Sequence, residues 1–238
     1  EKEKMGMNEQ VERWLKELAG LDLPGILRQL SDSGLRVVFS TSFGKEDQVI
    51  THALTKLPDP SITIFTLDTG RLFEETYEVF NRTVNKYKLR IETYYPDQQA
   101  TQKLVSDKGP YSFYESLENR KECCYIRKIE PLKRALKGKE VWITGLRKEQ
   151  SDNRADMQLV EWDEGHQLIK VHPLFYWTEA QVDAYTDEHL VPVNALHKKG
   201  FPSIGCAPCT RAVQPGEDFR AGRWWWEASK KECGLHSK

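Results

Sequence analysis

The feature that most limits what this chain can fold into is an alternation of short apolar runs with helix-length segments over residues 35–145. Leu35–Ser40 (LRVVFS), Ser61–Leu67 (SITIFTL), Leu89–Tyr95 and Glu140–Thr144 (EVWIT) are β-branched or apolar runs of strand length. Between them, Lys45–Leu57, Phe73–Lys88, Gln98–Lys108 and Ile126–Lys137 have helical character. Strands alternating with helices predict an α/β fold: a doubly wound, mostly parallel sheet with helices on both faces. Ahead of this region, residues 9–30 predict short amphipathic helices broken near Gly20–Pro24.

After Gly145 the pattern changes. Gln158–Asp163 and Gln167–Val171 flank an acidic, Gly-containing turn and predict a hairpin, and Thr178 with Gln181 forms a capping box for a helix to about His189. The Gly-, Pro- and Cys-rich stretch up to Pro215 predicts irregular structure. At 238 residues the chain can bury one sizeable core, so the expected organisation is one domain, 1–215, followed by a mobile C-terminal tail, 216–238. Three consecutive tryptophans, Trp224 to Trp226, predict that part of this tail docks onto a surface.

Charge narrows the partners. Lys+Arg 35 against Asp+Glu 36 leaves a net charge of -1, which gives no global attraction for nucleic acid or an acidic membrane. No apolar run is long enough to span a bilayer, and the charged N-terminus EKEKMGMNEQ lacks the apolar stretch of a secretory signal. A cytoplasmic protein without membrane or nucleic-acid partners is expected.

Two sets of residues carry chemistry. The small-residue loop Ser40-Thr41-Ser42-Phe43-Gly44 joins a strand to a helix, where amides, hydroxyls and the helix dipole converge on an anion. It lacks the GxxxxGK[ST] pattern of a Walker loop, and an ordinary capped turn would look the same. The second set is five cysteines: the adjacent Cys123 and Cys124, the CxxC pair Cys206 and Cys209, and a lone Cys233. In a reducing cytosol clustered cysteines point to metal ligation or catalysis, and thiolates select zinc or iron–sulfur clusters. Adjacent cysteines can both ligate only on a special local backbone, such as the start of a helix, which makes a routine zinc knuckle the less natural reading.

These motifs and their neighbours resemble the assimilatory sulfonucleotide reductases. STSFGKED (40–47) and LDTG (67–70) are similar to the modified phosphate loop and second strand end of the adenine-nucleotide alpha-hydrolase superfamily. KECCYIRK (121–128) and GCAPCT (205–210) resemble the two cysteine segments of the cluster-bearing reductases, and GLRKEQSDNR (145–154) resembles their GxRxxQSxxR segment. GEDFRAGRWWWE (216–227) and ECGLH (232–236) resemble the terminal catalytic segment. The resemblance implies that Cys123, Cys124, Cys206 and Cys209 hold one 4Fe–4S cluster, with Lys128 and Arg127 offsetting its charge. It implies substrate contacts from Ser40, Thr41, Ser42, Phe43, Gly44, Asp68, Thr69, Gly70, Lys128, Arg147, Arg154, Arg220, Arg223 and His236.

The implied reaction is reduction of adenylyl sulfate to sulfite and AMP through an S-sulfocysteine on Cys233, with thioredoxin or glutaredoxin as electron donor and a homo-oligomeric enzyme. STSFG is closer to the SSSFG of the cluster-free members than to SFSGAED, which leaves phosphoadenylyl sulfate, or both substrates, open. Two other readings predict differently. An ATP pyrophosphatase-type tRNA thiolase calls for SGGxDS and a basic RNA-binding surface. A zinc-stabilised nucleotide-binding module gives Cys233 no role.

Overall fold

The computed structural model describes residues 2–150 and 157–228; Arg154, Cys233 and His236 of the expected site lie outside the described residues. Two helices, α1 (Lys2–Leu18) and α2 (Leu23–Ser31), precede the sheet. They part at Asp22, whose side chain caps α2 by accepting from Gly25 N at 2.9 Å. The alternating unit follows: β1 (Val37–Ser40), α3 (Lys45–Leu54), β2 (Ile62–Leu67), α4 (Glu74–Tyr87), β3 (Glu92–Tyr94) and α5 (Gln98–Lys108). Then come α6 (Leu117–Cys124), α7 (Glu130–Leu136), β4 (Val141–Ile143), the hairpin β5 (Val160–Asp163) and β6 (Leu168–Val171), and α8 (Glu179–Glu188).

The six strands form one sheet in the order β3-β2-β1-β4-β6-β5. All neighbours run parallel except β5, which pairs antiparallel with β6 at the edge. The period of two along each strand divides the core. Val37 and Phe39 of β1, Val141 and Ile143 of β4, and Ile169 and Val171 of β6 face one layer with Trp14 and Leu18 of α1, Leu27 of α2, Ile50 of α3 and Val182 of α8. Val38, Phe65, Trp142 and Leu168 face the other, against Leu132, Ala135 and Leu136 of α7. No helix among the described residues is long and apolar enough to cross a membrane.

One element departs from expectation. The helix predicted from Ile126 begins earlier, as α6, and passes through a π-helical turn, Tyr125–Ile129, before continuing as α7. Pro131 supplies a physical reason, because it lacks the amide that would continue an α-helical ladder at that point. Cys123 and Cys124 therefore close α6 instead of opening a helix. The π turn leaves both Arg127 and Lys128 buried just beyond them, and π turns recur at functional sites.

Candidate active site

The sheet order reverses between β1 and β4, and the loops leaving these two strands diverge there. Ligands of open α/β sheets bind at such a crevice, beyond the carboxyl ends of the strands. A cavity opens here, lined by all of Ser40 to Gly44 after β1, by Thr144 to Leu146 after β4, and by Thr69 after β2.

The loop after β1 is held by its own residues. Asp47, in the first turn of α3, accepts from Ser42 N at 2.6 Å and Ser42 Oγ at 2.8 Å. Phe43 takes a left-handed φ of 60°, a conformation that costs a non-glycine residue of order 1–3 kcal/mol. Its ring, buried and stacked on Phe80 at 4.5 Å, holds it there. Trp142 Nε1 donates to Ser40 Oγ at 2.8 Å. Gly145 is required on the facing loop, because a Cβ there would collide with Asp47 Oδ1.

Burial pushes the Asp47 carboxyl up to about 7, against the two Ser42 hydrogen bonds that favour its charged form. Its ordinary value is 3.8, so over the interval between the two the folded chain keeps a proton that the unfolded chain has released. The group's contribution to stability is full below about pH 4 and is lost as pH rises through 7. Asp47→Asn keeps an acceptor for Ser42 and cannot ionise. Relative to the wild type its stability is expected to rise by about 2 kcal/mol between roughly pH 5 and pH 8. Urea unfolding at both pH values checks this, and a difference independent of pH would refute it.

A second chamber adjoins the first. It is lined by Cys123, Cys124, Cys206 and Cys209 together with Arg71, Arg120, Arg127 and Lys128. Lys128 and Cys206 line both spaces and form the partition between them. The Thr69 hydroxyl accepts from Arg71 N at 3.3 Å and lies within hydrogen-bond reach of Cys206 Sγ, at 3.2 Å. Arg127 donates to the Thr69 carbonyl at 2.7 Å. Burial raises the Cys206 thiol, but Lys128, Thr69, Arg223 and Arg127 outweigh it and the thiol lies below its ordinary value. Burial pushes Cys209 up to about 12. Four sulfurs around one chamber with cations facing in are a donor set suited to an anionic iron–sulfur cluster. Among the described residues, no three His, Cys, Asp or Glu side chains are grouped so as to hold a single metal ion.

Residues 217–228 close both spaces. Trp224 N donates to Cys209 O at 3.0 Å, and Thr210 and Arg223 form an antiparallel bridge. Trp224 is buried between two guanidinium groups, Arg120 and Arg223, each 4.7 Å from its ring centre. Arg120 also makes a two-pronged ion pair with Glu227, 2.9 Å on each side. Arg220 and Arg223 line the first cavity. Gly205 gives Arg223 its passage, since a Cβ there would strike the guanidinium.

Three residues expected to contact substrate do not line the cavity. Arg147 is buried but turned from the cavity: Glu46 accepts from its Nε at 2.9 Å, and Glu149 and the Trp177 carbonyl take Nη1 at 3.2 Å. Asp68 closes its own turn, its Oδ1 accepting from Gly70 N at 2.8 Å and Tyr77 Oη at 2.9 Å. Gly70 supplies the left-handed φ of 73° for that turn and does not line the cavity. Conversely, Arg71, Arg120, Trp142, Asn194 and His197 line these spaces without any expectation from sequence. Their only sequence signal was proximity to the quoted motifs, and Arg120 had no more than that.

A cation-walled cavity at the switch point of a doubly wound sheet is the arrangement of an α/β protein that binds an anionic small molecule. Residues 36–212 match the phosphoadenosine phosphosulfate reductase domain. A Burkholderia cepacia protein named adenosine 5'-phosphosulfate reductase is 49% identical over 215 residues, which cover 90% of this chain and 86% of that one. An Allochromatium vinosum protein of the same name is 49% identical over 224 residues, covering 94% and 86%. The crystal structure of phosphoadenylyl-sulfate (PAPS) reductase from Candida auris, a phosphate complex, matches with a TM-score of 0.74 and 27% identity over 86% of this chain and 97% of that one. The Candida glabrata FMN adenylyltransferase, at 14% identity and TM-score 0.55, shares the fold alone. The chain belongs to the sulfonucleotide reductase family.

Proposed function

We propose that this protein reduces adenylyl sulfate to sulfite and AMP in sulfate assimilation, with Cys233 as the nucleophile. The observation that carries this reading is the shared partition: Lys128 and Cys206 face both the nucleotide cavity and the four-cysteine chamber. Lys128, Arg220 and Arg223 bring three cations to a substrate whose phosphate and sulfate are both anionic. The names of the Burkholderia and Allochromatium relatives favour adenylyl sulfate.

In the first half-reaction the Cys233 thiolate attacks the substrate's sulfur. The sulfur–oxygen bond to phosphate breaks, its electron pair leaves with AMP, and Cys233 carries the sulfo group. A thiolate of thioredoxin or glutaredoxin then attacks Cys233 Sγ, and sulfite departs with the sulfur–sulfur pair. The donor's second thiol resolves the mixed disulfide and returns Cys233. Cys233 has to meet the nucleotide in one half-reaction and the electron donor in the other, and His236 is assigned to the same site. Arg154 is assigned to the same anion site. Cys123, Cys124, Cys206 and Cys209 would hold one 4Fe–4S cluster, which when bound supplies a compact negative centre beside the anion site. Arg127 and Lys128 offset that charge. A cytoplasmic homo-oligomer is part of the same reading.

The test uses protein purified without oxygen, its visible spectrum, and sulfite release from each sulfonucleotide with reduced thioredoxin. Brown protein that releases sulfite preferentially from adenylyl sulfate is expected. Equal turnover of the 3'-phosphorylated substrate would make the enzyme dual in specificity. Colourless protein inert toward both would overturn the proposal.

A further inference from the structure

His197 sits in the 3-10 turn Ala195–Lys199, and three observations fix its ring. The turn is pinned at its start by Asn194, whose Oδ1 accepts from Leu196 N at 3.0 Å and whose Nδ2 donates to Thr76 Oγ1 at 3.1 Å. Gly200, with a left-handed φ of 83°, ends it. His197 Nδ1 lies 2.9 Å from the Phe201 carbonyl. A carbonyl only accepts, so Nδ1 carries the proton, and in the neutral ring Nε2 is left as an acceptor. Burial, with Lys45 adding to it, holds the ring below its ordinary pKa despite the Phe201 bond, which keeps it neutral at pH 7. Nε2 is enclosed and meets no donor from the protein, while the residue itself lines the nucleotide cavity. A buried acceptor without a donor is a cost that a bound donor removes.

We infer that His197 reads the nucleoside half of the substrate, its Nε2 accepting a hydrogen bond from a sugar hydroxyl or from the amino group of the base. This rests on the reading above, that the cavity takes an adenine nucleotide. The chemistry leaves no other part of such a ligand. At neutral pH phosphate and sulfate oxygens only accept, and they belong with Lys128, Arg220 and Arg223. The donors are the ribose hydroxyls and the exocyclic amine. An acceptor without a proton also repels an anion, so His197 orients the ligand and disfavours a phosphate on whichever hydroxyl it reads. It is thus a specificity-determining residue, and no step of the reaction passes through it.

The experiment is a calorimetric titration of the full chain with AMP, 2'-deoxy-AMP, 3'-deoxy-AMP, N6,N6-dimethyl-AMP and pyrophosphate. On the wild type, one of the three analogues should bind about tenfold more weakly than AMP, the loss expected when a buried acceptor is left unpaired. His197→Phe should lose the same factor for AMP and nothing further for that analogue, and it should bind pyrophosphate as the wild type does. His197→Gln, which keeps an acceptor, should recover most of the AMP affinity. If His197→Phe does not fold, the analogue series on the wild type decides alone. AMP binding undiminished in His197→Phe, or three analogues all equal to AMP, overturns the inference and leaves the proposed function standing. A wild type indifferent to AMP overturns both.

Discussion

Cys233→Ser is expected to lower sulfite release from adenylyl sulfate by at least about a thousandfold while leaving AMP affinity within about twofold of the wild type. The two expectations have separate grounds. A serine hydroxyl at neutral pH is a far weaker nucleophile than a thiolate, and no nearby base has been assigned to activate it. The described wall of the cavity, by contrast, runs from residue 40 to residue 223, and the substitution changes none of it. The measurement pairs a sulfite assay with an AMP titration on one preparation of each protein. A variant retaining more than about a hundredth of the activity would exclude Cys233 as the nucleophile and turn attention to the chamber cysteines. A large loss of AMP affinity would mean instead that the terminal residues help to build the nucleotide site.

Arg120→Ala is expected to cost about 3–5 kcal/mol of stability, because it removes the guanidinium that pairs twice with a largely buried Glu227 carboxylate. The pair is 2% and 8% exposed, which separates it from the surface pairs of this chain, such as Lys103–Asp107 at 79% and 53%. For a chain of this length the loss corresponds to a fall in melting temperature on the order of 10 °C. Arg120 also packs on Trp224, so the substitution releases the seat of 217–228, and the fluorescence of Trp224 to Trp226 should shift toward that of exposed indole before global unfolding. Arg120→Met combined with Glu227→Leu removes both charges and should recover much of the stability, as apolar replacement of a buried pair commonly does. A loss below about 1 kcal/mol for Arg120→Ala would show that the pair is solvated in solution.

Much of this architecture was legible from spacing. The helix expected at Gln98–Lys108 forms over those residues, because Asp97 caps it and Gly109 ends it. The Thr178–Gln181 capping box forms in both directions, and the hairpin forms as β5 and β6. What stayed hidden depends on which partner a side chain meets across the fold. Arg147 meets Glu46, 101 residues away, and Arg120 meets Glu227 across 107. An arginine that neutralises a distant glutamate has the same local sequence as one that awaits an anion. Asp68 stands in a motif associated with nucleotide sites, yet its oxygen closes its own turn. The π turn escaped notice because α6, LENRKECC, has no apolar stripe to mark its frame, and Pro131 lies beyond it. His197 escaped because a histidine's role rests on which ring nitrogen is already engaged, and only the Phe201 carbonyl reveals that.

The indole of Trp224 is gripped by one arginine from the sulfur chamber and one from the nucleotide cavity. The two spaces therefore share one brace. A change that unseats Trp224 releases Arg120 and Arg223 together, so the sulfur chamber and the neighbouring cavity loosen as a unit.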